Sequence, residues 1–120
     1  MDLTGRIIGA AIEVHSTLGP GLLESAYQAC LYHELCSRGL TCCREIDLPV
    51  VYKDIKVDCG YRVDLLVEET VVIELKAVDE LRPIHEAQLL TYMKLGGWSI
   101  GLLMNFHAPK LVEGLRRFVL

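Results

Sequence analysis

Three polar residues stand inside two otherwise apolar runs: Asp64 in Val63-Asp64-Leu65-Leu66-Val67, and Glu74 and Lys76 in Val71-Val72-Ile73-Glu74-Leu75-Lys76. Glu68-Glu69-Thr70 separates the runs, a connection short enough to demand an antiparallel hairpin. A loop of that length sets Val67 opposite Val71 and hence Asp64 opposite Glu74, with Cβ atoms about 5 Å apart on one face. Lys76 projects from the same face as Glu74, and Arg62 falls opposite it. A slip of one residue would send the two acids to opposite faces.

Like charges directly across a strand pair repel, so this pair calls for a compensating cation. Two arrangements supply one. Lys76 and Arg62 can close an ion-pair cluster on a solvated sheet face. Alternatively a hard divalent ion can sit between the carboxylates, since Mg²⁺ prefers carboxylate and water oxygens in an octahedral shell that leaves room for a substrate phosphate.

Two helical segments carry further polar groups. In Gly21-Leu22-Leu23-Glu24-Ser25-Ala26-Tyr27, Glu24 and Tyr27 share a helix face. Glu24 in a first turn gains from the helix macrodipole whatever its function, or it reaches over the sheet toward the acids. His85, Gln88 and Tyr92 fall at steps of three and four and form a polar stripe, either an ordinary solvent-facing surface or a wall of the site, while Ile84, Ala87, Leu90 and Met93 face the core.

The elements that must hold these groups follow from periodicity. Leu3, Ile7, Ala11, Val14 and Leu18 line one face of a first helix that Gly19-Pro20-Gly21 stops. A second helix runs from Leu22 through Leu23, Ala26, Cys30 and Leu35 to Gly39, which can terminate it in the left-handed conformation. An extended stretch through Ile46, Leu48, Val50, Val51, Tyr52 and Ile55 follows, where Pro49 suits only an edge or a bulge. Next come the two strands of the hairpin, Tyr61 to Val67 and Val71 to Ala77. A third helix opens at Arg82-Pro83 and runs to about Leu95, and a buried strand spans Ser99 to Asn105. The tail from Pro109 fits a short helix or an edge strand. The order is ααβββαβ, an α/β fold in one domain over residues 1–120.

Composition sets the limits. The chain has 120 residues, 52% of them hydrophobic, and a mean hydropathy of +0.33, yet no stretch approaches the roughly 18 apolar residues of a membrane span. The start, Met1-Asp2-Leu3-Thr4-Gly5-Arg6, lacks the pattern of a signal peptide, so a cytoplasmic location is expected. Cys30, Cys36, Cys42, Cys43 and Cys59 match no zinc or cluster spacing and read as free thiols. A net charge of −4 provides no global basic field for nucleic acid. The hydrophobic content exceeds what a core of this size readily hides, which points to at least a dimer.

Taken in order, these motifs resemble the PD-(D/E)XK nuclease superfamily, and specifically its small GxxExxY branch, whose name describes Gly21, Glu24 and Tyr27. Asp64 followed by Glu74-Leu75-Lys76 is similar to the acid and (D/E)XK tripeptide of the superfamily. Gln88 to Tyr92 is similar to the QxxxY motif of its RecB-like members. Val63 stands where the name-giving pattern has proline. The resemblance implies a restriction-endonuclease-like core, a mixed central sheet flanked by helices. It implies Mg²⁺ or Mn²⁺ on Asp64, Glu74 and the Leu75 carbonyl, with Glu24 holding a water on the ion or a second ion. Lys76 would orient the attacking water, while Gln88 and Tyr92 would position the substrate strand or the lysine. The implied activity is hydrolysis of DNA, single- or double-stranded. A module of the same fold that has no catalysis and acts through a partner protein is the competing expectation.

Overall fold

The computed structural model describes all residues, 1–120. Helices α1 (Leu3–Leu18) and α2 (Glu24–Ser37) are followed by strands β1 (Cys42–Asp47), β2 (Val50–Tyr52), β3 (Ile55–Val57), β4 (Arg62–Val67) and β5 (Val71–Lys76). Helix α3 (Pro83–Gly96), strand β6 (Ile100–Asn105), a 3₁₀ turn at Leu111–Gly114 and strand β7 (Leu115–Val119) complete the chain. The five-stranded sheet has the order β1-β4-β5-β6-β7. It is mixed, because β5 and β6 are parallel through the α3 crossover while the other neighbours are antiparallel.

Two apolar layers cover the sheet. Ile7, Ala11 and Val14 of α1 and Tyr27, Leu31 and Leu35 of α2 pack with Leu65, Val67, Ile73, Leu75, Leu102 and Met104 on one side. Leu89 and Met93 of α3 pack with Val63, Leu66, Val72 and Leu103 on the other. Gly101 permits that second contact, since a Cβ there would stand 2.5 Å from the Met93 sulfur.

The expected elements are all present, with two additions. The extended stretch after β1 is a separate two-stranded hairpin, β2 with β3, each strand too short to show a period. Pro49 lies in the connection before it, outside any strand. The tail is both short helix and edge strand, β7 pairing with β6.

Two helix faces differ from expectation. In α2 the buried positions are Tyr27, Gln28, Leu31 and Leu35, whereas Leu22, Leu23 and Cys30 are exposed. The apolar pattern misses this because two polar residues go inside. The Tyr27 ring stacks on Phe106 with centroids 4.6 Å apart. Its hydroxyl donates to the Gly19 carbonyl at 2.5 Å and accepts from the Leu22 N–H at 3.1 Å, so burial leaves no polar atom unpaired. In α3, Leu89 and Met93 face the sheet, and Ile84 and Ala87 face outward.

Candidate functional site

The loop Glu68-Glu69-Thr70 turns with positive φ at Glu68 and Glu69, and the register it sets, Val67 with Val71 and Leu65 with Ile73, is the one its length implies. Regular pairing then ends, one residue short of Asp64 and Glu74. The side chains take over as hydrogen-bond partners. The Asp64 N–H donates to Glu74 Oε1 at 3.1 Å, and the Leu75 N–H donates to Asp64 Oδ2 at 2.8 Å. The carboxylates therefore meet in the seam between β4 and β5, each taking a main-chain N–H of the opposite strand.

A kink in two strands creates that seam. Along β4, Val63 packs on the α3 side but Leu65 on the α1–α2 side, against the alternation of a regular strand. Along β1, Cys42 belongs to the α1–α2 layer and Ile46 to the α3 layer, so the face changes there too. The β1–β4 pairs Arg44–Leu65 and Ile46–Val63 flank the break, and between them Glu45 has φ of 50°. Both strands rotate together, as at a bulge, which re-aims Asp64 without losing register on either side.

Asp64 also reaches α2. Gln28 Nε2 donates to Asp64 Oδ1 at 3.2 Å, and Arg44 Nη2 donates to Gln28 Oε1 at 3.2 Å. The Arg44 guanidinium lies 5.3 Å from the centroid of the Tyr32 ring. Sequence reasoning missed both residues. Gln28 carried a signal, since it lies one turn beyond Glu24 on the same side of the helix.

The electrostatics are those of two acids short of a counter-charge. Burial first and the Asp64 charge second raise the Glu74 carboxyl to about 8, against the opposing Asp64 N–H and Lys76. Burial likewise raises Asp64, with the Glu24 charge adding and the Leu75 N–H, Lys76 and Gln28 opposing. Lys76 is half-buried and forms no ion pair. The expected cluster with Arg62 does not form, because the kink turns Arg62 away and its guanidinium pairs with Glu45 at 3.7 Å.

No third acid, histidine or cysteine joins Asp64 and Glu74 at metal-ligating spacing. Glu24 is exposed at the start of α2 and acts on both carboxyls through its charge. Tyr27, three residues on, is buried, so the two do not share an environment. The Leu75 side chain lies in the α1–α2 core, which leaves only its main chain for the site. Two carboxylates and one carbonyl suit Mg²⁺ or Mn²⁺, which keep several waters and need few protein ligands.

Gln88 and Tyr92 line a groove of about 420 Å³ with Val50, Tyr61, Ile84, Ala87, Thr91 and Leu95. The Tyr92 hydroxyl is raised by burial first, then by the charges of Glu74, Tyr61 and Asp64, so the groove lies within electrostatic reach of the seam. Glu24 does not line this groove. His85 turns back to accept the Arg82 N–H at 2.9 Å as part of the α3 cap. A larger cavity of about 550 Å³ lies by His15 and Pro109 and holds none of these groups. All five cysteines are free.

A family model described as the PD-(D/E)XK nuclease superfamily matches residues 1–118. No curated protein and no solved structure matches the chain.

Proposed function

Given that the chain belongs to the PD-(D/E)XK nuclease superfamily, we propose that it is a metal-dependent phosphodiesterase that hydrolyses DNA at the β4–β5 seam. Members of this superfamily generally use divalent metal ions. The observation that carries the reading is the pair of buried Glu74 and half-buried Asp64, Glu74 accepting the Asp64 N–H and Asp64 the Leu75 N–H, with no cation in contact. Keeping two acids desolvated with no cation between them costs stability, either as unpaired charge or as the proton that Glu74 must retain up to about 8.

In this reading Asp64, Glu74 and the Leu75 carbonyl hold Mg²⁺ or Mn²⁺. A bound ion supplies Lewis acidity toward a phosphate oxygen and toward the attacking water. Lys76, free of any ion pair, orients the water and offsets charge that develops on the phosphate. Glu24, at the start of α2, would hold a water on the ion or a second ion. Gln88 and Tyr92 form the wall along which the substrate strand lies. We assign the chain to the GxxExxY branch on Gly21, Glu24 and Tyr27: Gly21 has φ of 109°, and Tyr27 pins the loop on which Glu24 enters the helix. We also read residues 1–120 as one domain.

Calorimetric titration with Mg²⁺ and Mn²⁺ tests the metal site. The wild type is expected to bind and Asp64→Ala to lose binding. Cleavage of single- and double-stranded DNA with and without EDTA tests the activity. A second reading has support from the net charge of −4 and from Val51, Tyr52 and Ile55, each about 60% exposed on the β2–β3 hairpin. It is a module without catalysis that docks on a partner protein or a second copy. Absence of any metal binding would favour it.

A further inference from the structure

We propose that Gln28, oriented by Arg44, is a positioning residue that sets the carboxylate of Asp64 for metal capture. The proposal rests on the metal site described above.

The polarity of the chain of hydrogen bonds is fixed by its outer end. A guanidinium can only donate, so the Gln28 amide must turn its oxygen to Arg44, at 3.2 Å. The same orientation forces the amide NH₂ toward Asp64 Oδ1, also at 3.2 Å. Gln28 is 8% exposed, and Arg44, though on the surface, lies over the Tyr32 ring as well as on the Gln28 amide. Asp64 Oδ2 is held separately by the Leu75 N–H at 2.8 Å. Each oxygen thus accepts one fixed donor and keeps a lone pair, which holds the plane of the carboxylate with both oxygens still able to ligate.

The arrangement depends on the kink. Arg44 stands opposite Leu65, the last regular position before the face of β1 and β4 changes, and so points to the α2 side, where Gln28 waits. Asp64 follows at the break itself. Regular alternation carries Arg44 to the α2 side, and the distortion beside it delivers the acid to the seam within reach of the same glutamine. A buried glutamine needs partners for its amide, and a core would accept leucine or methionine here at less cost if shape alone mattered.

The experiment is Mn²⁺ titration by calorimetry on the full chain, with thermal melts in EDTA as the control for folding. Gln28→Met keeps the volume and removes the donor. Arg44→Met lies on the surface, leaves the amide in place and removes what orients it. Each is expected to raise the Mn²⁺ Kd by about 10- to 100-fold, the usual effect of losing a residue that orients a ligand. Because the two act in series, the double variant is expected to bind no more weakly than the weaker single variant. Gln28→Glu, which puts an acceptor against an acceptor, is expected not to restore affinity.

A purely structural role predicts lower melting temperatures with an unchanged Kd. Wild-type Mn²⁺ affinity in Arg44→Met, or in a folded Gln28→Met, overturns the proposal, as do additive losses in the double variant. Asp64→Ala in the same series separates the two levels. If it too binds Mn²⁺ like the wild type, the metal site itself is wrong. If it alone loses binding, the site stands and only the positioning role falls.

Discussion

Replacing Glu74 with glutamine is expected to stabilise the metal-free protein at alkaline pH while destroying its metal site. In the unfolded chain the carboxyl titrates near its ordinary value of 4.5, but in the folded protein burial and the Asp64 charge raise it to about 8. Below 4.5 it is protonated in both states and favours neither. Between the two values the folded state holds a proton that the unfolded state has lost, so stability falls as pH rises. Each pH unit across that window costs about 1.4 kcal/mol, and above about 8 the accumulated penalty is a few kcal/mol. The substituted amide would carry no charge, and its oxygen can still accept the Asp64 N–H that Glu74 Oε1 accepts at 3.1 Å. At pH 9 in EDTA, Glu74→Gln should therefore exceed the wild type by up to about 5 kcal/mol, roughly 10–20 °C in Tm for a chain of this size. At pH 5 the two should nearly coincide. Melts of both proteins from pH 5 to 9 read this directly, and taking the difference cancels the four histidines common to both. Mg²⁺ at about 100 times its Kd should return about 2.7 kcal/mol to the wild type and nothing to the variant. Parallel pH profiles in EDTA, or a variant less stable than wild type at pH 9, would refute the picture of two uncompensated carboxylates.

Lys76→Ala is expected to lower DNA cleavage by about 100-fold or more with Mg²⁺ affinity intact, whereas Asp64→Ala and Glu74→Ala lose both; wild-type cleavage rates in Lys76→Ala would sink that division of labour. Tyr27→Phe strips the Gly19 carbonyl and the Leu22 N–H of their shared partner, so denaturant unfolding should show a loss of about 1–2 kcal/mol, with Mn²⁺ affinity unchanged. Light scattering at micromolar concentration should show at least a dimer, given Leu23, Val51, Tyr52, Ile55 and Ile84 at 60% exposure or more, and a monodisperse monomer would contradict it.

Much of the framework was legible in the residues because it depends on neighbours in sequence. Leu3, Ile7, Ala11 and Val14 repeat with the helical period, and Gly19-Pro20-Gly21 ends that helix whatever packs on it. The loop of Glu68 to Thr70 fixed the β4–β5 register, since hairpin length and pairing are one geometric fact. The short β2 and β3 strands were hidden because three residues carry no measurable period. What the sequence could not supply was the kink at Glu45 and Asp64, for it arises between strands far apart in the chain and leaves the pairing on either side in step. That distortion sends Arg62 to Glu45 rather than Lys76 and brings the carboxylates into the seam. Gln28 and Arg44 escaped for the same reason. A glutamine and an arginine read as surface residues until tertiary packing buries one and aims the other at it, and only then does their partnership with Asp64 exist.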